Sequence, residues 1–115
     1  MNFNKLVLSG IVHKFIFSKV SPSEIPHYYF LLRHFSKQEE AMLQRNVWCN
    51  IMIIASGEKF KKKMEKIQVG SKIIVYGFLN NSYNYNGLQN LVLHAKIIKL
   101  INFSGENKSD SSRSS

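Results

Sequence analysis

The sequence predicts an all-β fold, because five segments rich in β-branched and aromatic residues alternate with short polar connections. Glycines interrupt the first and fourth of these segments, at Gly10 and Gly77, and a glycine inside a strand often marks the bend that a barrel corner requires. A single segment, between the third and fourth strands, has helical spacing instead. Five strands, one helix and two glycine bends predict the OB-fold, a five-stranded Greek-key barrel with a short helix between strands 3 and 4.

The strand boundaries follow from where apolar alternation begins and ends. The five strands are predicted over residues 4–17, 27–35, 47–57, 73–79 and 88–101. A loop rich in proline and serine is predicted over 18–26, and the polar segment 36–46 is predicted as a longer excursion between the second and third strands. The domain is predicted over 1–103, and the polar segment 104–115, which has no apolar residues, is predicted to be a disordered tail.

A period of two residues assigns side chains to the faces of the second and third strands. Phe30 and Leu32 share one face of the second strand, and Arg33 and Phe35 share the other. Trp48 lies on the third strand. The face formed by these two strands binds oligonucleotides in OB-folds, together with two loops.

The helical segment at 58–67 places Phe60, Met64 and Ile67 on one side of a short amphipathic helix. Its other side carries a run of lysines. Such a run is typical of a solvated helix surface, and a contact with phosphate or with a protein partner is the alternative.

Composition restricts the partners. Sixteen Lys and Arg against seven Asp and Glu give a formal net charge of +9, which favours a polyanionic partner, with solubility alone as the alternative. The single cysteine cannot form an internal disulfide and fits a reducing cytosol, so a cytoplasmic protein is expected. No apolar run is long enough for a membrane span, and no signal-peptide pattern is present, so no membrane association is expected.

The sequence contains no motif typical of metal binding or catalysis. The four histidines lack metal-ligand spacing, and one cysteine is too few for a zinc knuckle. No nucleophile–base pair, phosphate-cradling glycine loop or carboxylate pair stands out. We therefore expect a binding protein without cofactor or catalytic activity.

The segment NNSYNYNG, between the fourth and fifth strands, carries two tyrosines that a simple turn does not need. Tyr83 and Tyr85 are separated by one residue, so they point the same way in an extended arm. This connection flanks the binding face of an OB-fold, where aromatic rings stack on the bases of a single strand. The interpretation is an aromatic finger that binds bases, and packing against a strand or a second subunit is the alternative.

Several motifs resemble those of a known family. LVLSGIV, KVSPSEIPHYYFLLRH, VGSKIIVYGFL and NGLQNLVLHA are similar to motifs of primosomal replication protein N, the PriB family. These are small bacterial OB-fold proteins of replication restart, related to single-stranded DNA-binding protein. The resemblance covers about residues 4–102. It implies a homodimer that binds single-stranded DNA and contacts the primosomal restart helicase (PriA) and the primosomal protein that delivers the replicative helicase (DnaT).

Three residues match positions at the DNA-binding face of the family. Lys19 and Trp48 match positions on the face itself, and Arg45 matches a basic residue just before the third strand. The resemblance implies that Lys19 and Arg45 contact phosphates and that Trp48 stacks on a base. Burial of Trp48 in a dimer interface is the alternative.

Other positions depart from the family pattern. Tyr83 and Tyr85 stand where relatives carry lysines, and Phe35 stands at a basic position late in the second strand, with Arg33 two residues earlier on the same face. Asn90 replaces a basic residue early in the fifth strand. The binding face is therefore expected to have exchanged part of its charge for aromatic surface.

Two alternative functions remain at the level of sequence. A general single-strand-binding protein shares the strand pattern, but such proteins end in a long tail tipped with acidic residues, whereas this chain ends in SDSSRSS. An RNA-binding OB module would differ by contacts with the 2′-hydroxyl, which a sequence does not reveal.

Overall fold

The computed structural model describes residues 1–83 and 89–101, except for the side chains of Tyr83 and Gln89. This part of the chain forms five strands and one short helical segment. The elements are β1 (Leu6–Val20), β2 (Pro26–Glu40), β3 (Leu43–Ser56), a 3-10 helix (Glu58–Phe60) that continues into α1 (Lys61–Lys66), β4 (Lys72–Tyr83) and β5 (Gln89–Leu100). The expected tail at 104–115 lies outside the described residues, so the boundary between domain and tail stays a prediction.

The strands close into a barrel in the order β1-β2-β3-β5-β4. All neighbouring pairs are antiparallel except β3 and β5, which pair in parallel between Met52–Ala55 and Val92–Ala95. The pairing of β1 with β4, from Leu6↔Gly77 to Ile11↔Lys72, closes the barrel. This is the five-stranded OB architecture with its helix between β3 and β4, and the predicted fold class is confirmed.

Every strand contributes to the interior of the barrel. The largest fully buried side chains are Val12, Phe30, Leu32, Ile53, Ile73, Val75 and Leu93. Burial of each such side chain stabilises the fold by about 1.5–3 kcal/mol relative to exposure. Phe60 and Ile67, both 4 % exposed, join the same cluster, with Met64 packed against it, so the predicted apolar side of the helical segment is confirmed.

Two glycines stand where backbones approach closely. A Cβ at Gly77 would lie 1.8 Å from the carbonyl oxygen of His94, and the β4–β5 register shifts between Tyr76 and Gly77. A Cβ at Gly10 would lie 2.4 Å from the carbonyl oxygen of Arg33 on β2. Both positions therefore require glycine. This close approach of two backbones is the physical reason for the two glycines from which barrel bends were predicted.

The segment 36–46 is not the excursion that its polarity predicts. β2 and β3 continue through it as a paired hairpin, from Ser36↔Val47 to Glu40↔Leu43. Ala41 and Met42 form its two-residue turn with φ of 53° and 65°, as a hairpin turn with two left-handed residues requires. The prediction was wrong because an arm that leaves the barrel has solvent on both faces, so its strands need no apolar alternation.

Candidate nucleic-acid interface

The side chains of β2 and β3 that point away from the barrel interior form one continuous surface, here called the outer β2–β3 face. Residues directly opposite each other in an antiparallel pair lie on the same face. The cross-strand pairs of this face are Tyr29↔Ile54, Leu31↔Met52, Arg33↔Asn50 and Phe35↔Trp48. The register therefore brings together Arg33, Phe35 and Trp48, three of the residues that the sequence singled out.

Phe35 and Trp48 form an exposed aromatic pair at one end of this face. Their ring centroids lie 4.4 Å apart with the planes tilted by 50°. Phe35 is 48 % exposed and Trp48 is 66 % exposed, so neither ring belongs to the barrel core. Each ring retains accessible aromatic surface, on which a flat apolar group can stack.

Arg33 lies next to this pair and is held in place by two polar neighbours. Its Nε donates a hydrogen bond to Asn50 Oδ1 at 3.3 Å, and its Nη2 lies 3.2 Å from His13 Nε2. Neither neighbour is acidic, so the guanidinium keeps its positive charge available to an anion. A guanidinium fixed beside aromatic rings suits recognition of phosphate.

Lys19 lies at the other end of the face, near the end of β1. Its Nζ is 5.5 Å from the centroid of the Tyr29 ring, which itself stacks on Phe17 with centroids 4.2 Å apart and an interplanar angle of 16°. Lys19 is exposed and Phe17 is 49 % exposed. A second aromatic pair with an adjacent cation thus occupies this end of the face.

Phe17 and Tyr29 are residues that sequence reasoning did not assign to the site. The alternation within β2 does place Tyr29 on the same face as Arg33 and Phe35. The position of Phe17 depends on two register shifts in the β1–β2 ladder, between Val12 and Lys14 and between Phe15 and Phe17. An alternation pattern in a single strand does not reveal such shifts.

Arg45 lies on the hairpin arm, outside the barrel, and is paired with an acidic side chain. Its Nε is 2.9 Å from Glu40 Oε1, and the two side chains are 56 % and 72 % exposed. The structure therefore places Arg45 apart from the Phe35–Trp48 pair along the arm, with its charge offset by a carboxylate.

Tyr83 is the last residue of β4, which pairs with β5 to form a second arm of the barrel. β4 and β5 pair as far as Tyr83↔Gln89, and Ser82 and Asn90 of this arm line one groove with Tyr29 and Met52 of the outer β2–β3 face. The Tyr83 side chain and the whole of Tyr85 lie outside the described residues, so their role in binding stays a prediction.

A groove of about 680 Å³ runs between the outer β2–β3 face and the base of the β4–β5 arm. Its floor includes Phe17, Tyr29 and Met52, and Ser82 and Asn90 contribute polar groups from the arm. The arrangement combines aromatic and apolar surface with hydrogen-bonding groups and nearby cations. A single strand of nucleic acid presents matching groups, namely flat bases with polar edges and an anionic backbone.

Over residues 1–83 and 89–101, no three side chains of His, Cys, Asp or Glu are grouped in a way that could hold a metal ion. In that same part of the chain, no helix has both the length and the apolar character needed to cross a membrane.

Comparison with known proteins places this chain in a family. Residues 4–97 match the model of a family described as "Another single-strand binding protein family". Replication restart protein PriB of Proteus mirabilis is 50 % identical over 101 residues, which cover 88 % of this chain and 96 % of the relative. PriB of Photorhabdus laumondii is 48 % identical over 101 residues, with 88 % of this chain covered.

Solved structures agree on the fold. The structure of PriB from Ralstonia solanacearum superposes with a TM-score of 0.70 at 22 % identity and covers 87 % of this chain and 100 % of that one. A Plasmodium falciparum SSB in complex with single-stranded DNA gives a TM-score of 0.72 at 14 % identity, with 89 % and 97 % of the two chains covered. The chain belongs to the PriB family of replication restart proteins, within the single-strand binding proteins.

Proposed function

We propose that this protein binds single-stranded DNA on the outer β2–β3 face and acts as an accessory protein of the replication-restart primosome. The observation that carries the proposal is the exposed Phe35–Trp48 pair with Arg33 beside it. Aromatic rings without a role in the core are costly to expose to water unless they bind a partner. The names of the relatives, replication restart protein PriB, support the cellular role.

Binding combines two physical terms. Bases stack on Trp48 and Phe35, and each stacked base contributes about 1–3 kcal/mol. Phosphates contact Arg33 and Lys19, and the net charge of +9 attracts the strand over longer distances. No chemical step is part of this function, and the protein is proposed not to be an enzyme. A duplex hides its bases from such rings, so unpaired DNA is preferred.

The loop tyrosines are proposed to add to the stacking term. A ring stacked on a base adds no counterion release, whereas each phosphate contact steepens the logarithmic salt dependence by about 0.7 for a single strand. The double variant Tyr83→Ala with Tyr85→Ala is expected to weaken binding by about 1–3 kcal/mol per stacked ring lost, at unchanged salt slope. Lys19→Ala is expected to flatten the slope by about 0.7.

The experiment that tests the proposal is a titration of the protein with labelled oligothymidine, a DNA hairpin stem and an RNA of matched sequence. Tight binding of oligothymidine with weak binding of the stem supports the stacking mechanism. Equal affinity for the stem contradicts it, and a preference for the RNA favours an RNA-binding module instead.

A homodimer is proposed as the working unit. Val7 on β1, and Ile97 on β5, are 58 % and 51 % exposed on a barrel surface away from the outer β2–β3 face. Pairing of two copies through this surface would remove the apolar side chains from water. A sedimentation experiment that finds monomers at tens of micromolar contradicts this part of the proposal.

The protein partners are proposed from the family alone. They are the restart helicase (PriA) and the protein that delivers the replicative helicase (DnaT), and the role places the chain in the cytoplasm at replication forks. Retention of both partners from source lysate on a forked DNA carrying the protein tests this assignment. Loss of both, with DNA binding intact, favours a general single-strand-binding protein.

A further inference from the structure

The Phe17–Tyr29 pair resembles the Phe35–Trp48 pair, because both consist of two aromatic rings in contact on the outer β2–β3 face. Phe35 follows Tyr29 by six positions on β2, which corresponds to about 20 Å along a strand. Lys19 lies beside the first pair and Arg33 lies between the two. A strand of nucleic acid that follows β2 therefore meets rings and cations in alternation.

The first pair differs from the second because it opens into a groove. The floor of this groove of about 680 Å³ is apolar, with Phe17, Leu31 and Met52, and Ser82 and Asn90 lie at its wall. Such a volume is within the range of small-molecule sites, about 300–1,000 Å³. A flat heterocycle with polar edges fits this combination of an apolar floor and hydrogen-bonding walls.

The charge around the groove identifies the class of ligand. Among the described residues that line it, none is acidic, and Lys19 stands at its edge with Nζ 5.5 Å from the Tyr29 ring. The groove beside α1 differs, because Glu65 lines it. An apolar floor continuous with a cationic strand-binding face suits a base attached to a phosphate backbone.

We propose that this groove is a second nucleobase site, in which a base of the bound strand packs against the Phe17–Tyr29 pair while Lys19 contacts its phosphate. The proposal rests on the proposed single-strand binding and extends it. The bound strand then spans the face from Phe17 to Trp48, and the two aromatic pairs bind different bases of one strand.

The chain offers a matched control for the test. Phe15, two positions before Phe17 on β1, is 39 % exposed, and its ring centroid lies 5.8 Å from that of Phe30 with an interplanar angle of 50°. Phe15 lines the groove beside α1 and does not line the groove of about 680 Å³. Phe17→Leu and Phe15→Leu thus remove one ring each at two places on the same strand, and thermal melting of both variants verifies that each is folded.

The measurement is the affinity for an oligothymidine of about 12 nucleotides, within the usual site sizes of OB-folds. Phe17→Leu is expected to weaken binding fivefold or more, the lower end of about 1–3 kcal/mol per stacked base, at unchanged salt slope. Phe15→Leu is expected to bind like the wild type. If wild type does not bind the oligonucleotide, the proposed function fails; if it binds and both variants match it, only the second site fails.

Photo-crosslinking keeps the proposal testable if Phe17→Leu unfolds. With an oligothymidine that carries 5-iodouracil, crosslinked peptides containing Phe17 or Tyr29 are expected from the wild type, besides a peptide containing Trp48. Crosslinks to the Trp48 peptide alone would overturn the second site.

Discussion

The ion pair between Glu40 and Arg45 allows a sharp test of how the hairpin arm contributes to binding. Arg45 Nε lies 2.9 Å from Glu40 Oε1, so the carboxylate offsets the charge that a phosphate would contact. Glu40→Gln removes that charge and keeps the shape of the side chain. We expect the variant to bind single-stranded DNA more tightly at low salt, because Arg45 becomes free to pair with a phosphate.

The magnitude follows from counterion release. One additional phosphate contact steepens the logarithmic salt slope by about 0.7 for a single strand. Over a fourfold change in salt, from about 50 to about 200 mM, the affinity of the variant should fall about 2.6-fold more than that of the wild type. The loss of stability should stay below about 1 kcal/mol, because the side chains of both partners are more than half exposed, at 56 % and 72 %.

Fluorescence anisotropy with labelled oligothymidine at several salt concentrations measures both slopes. The matched control is Glu58→Gln, which makes the same change in net charge and frees Lys61, whose Nζ lies 3.8 Å from Glu58 Oε2 on the helical segment. The control should leave the slope unchanged. Equal slopes for Glu40→Gln and wild type, or equal steepening in both variants, would refute a phosphate contact by Arg45.

Three further predictions concern the stability of the fold. Gly77→Ala should destabilise the protein by about 1–3 kcal/mol or more in denaturant unfolding, because the new Cβ would lie 1.8 Å from a backbone oxygen; a variant as stable as wild type contradicts this close approach. Met42→Gly should raise the free energy of unfolding by a few tenths of a kcal/mol to about 1 kcal/mol, because φ of 65° suits glycine. Burial lowers the pKa of His94, so its contribution to stability is complete above its ordinary pKa of 6.5 and declines as pH falls below it; His94→Gln should weaken this pH dependence in thermal melts, and an unchanged profile contradicts it.

The barrel could be predicted from sequence because its determinants are local and periodic. The alternation that placed Phe30 and Leu32 opposite Arg33 and Phe35 is the pleat of a half-buried strand, and the structure has it. The apolar side of the helical segment followed equally from a period near 3.6. These signals arise wherever one face of an element packs against the core.

The hairpin arm could not be predicted in this way. Its strands have water on both faces, so burial imposes no pattern on them, and the sequence from Ser36 to Asn46 is polar throughout much of its length. The Glu40–Arg45 ion pair could not be predicted either, because it forms only when a hairpin brings the two residues together as diagonal neighbours on adjacent strands. Ala41 and Met42 also lack the Asn-Gly signature that marks such turns.

The Phe17–Tyr29 pair was missed for a different physical reason. A regular ladder that continued from Ile11↔Arg33 would place Phe17 opposite His27. Two register shifts move the pairing by two residues, so that Phe17 lies opposite Tyr29. Bulges of this kind depend on tertiary packing and leave no reliable local signal.

The most direct test of binding on the outer β2–β3 face uses the emission of Trp48, which is the single tryptophan of the chain and is 66 % exposed. Titration with oligothymidine should change this emission saturably, with the same midpoint as the anisotropy of the labelled oligonucleotide. Trp48→Ala should weaken binding by about 1–3 kcal/mol while the melting temperature stays close to that of the wild type, because the ring is outside the core. Saturable binding that leaves the Trp48 emission unchanged, with full affinity in Trp48→Ala, would contradict base stacking on this face.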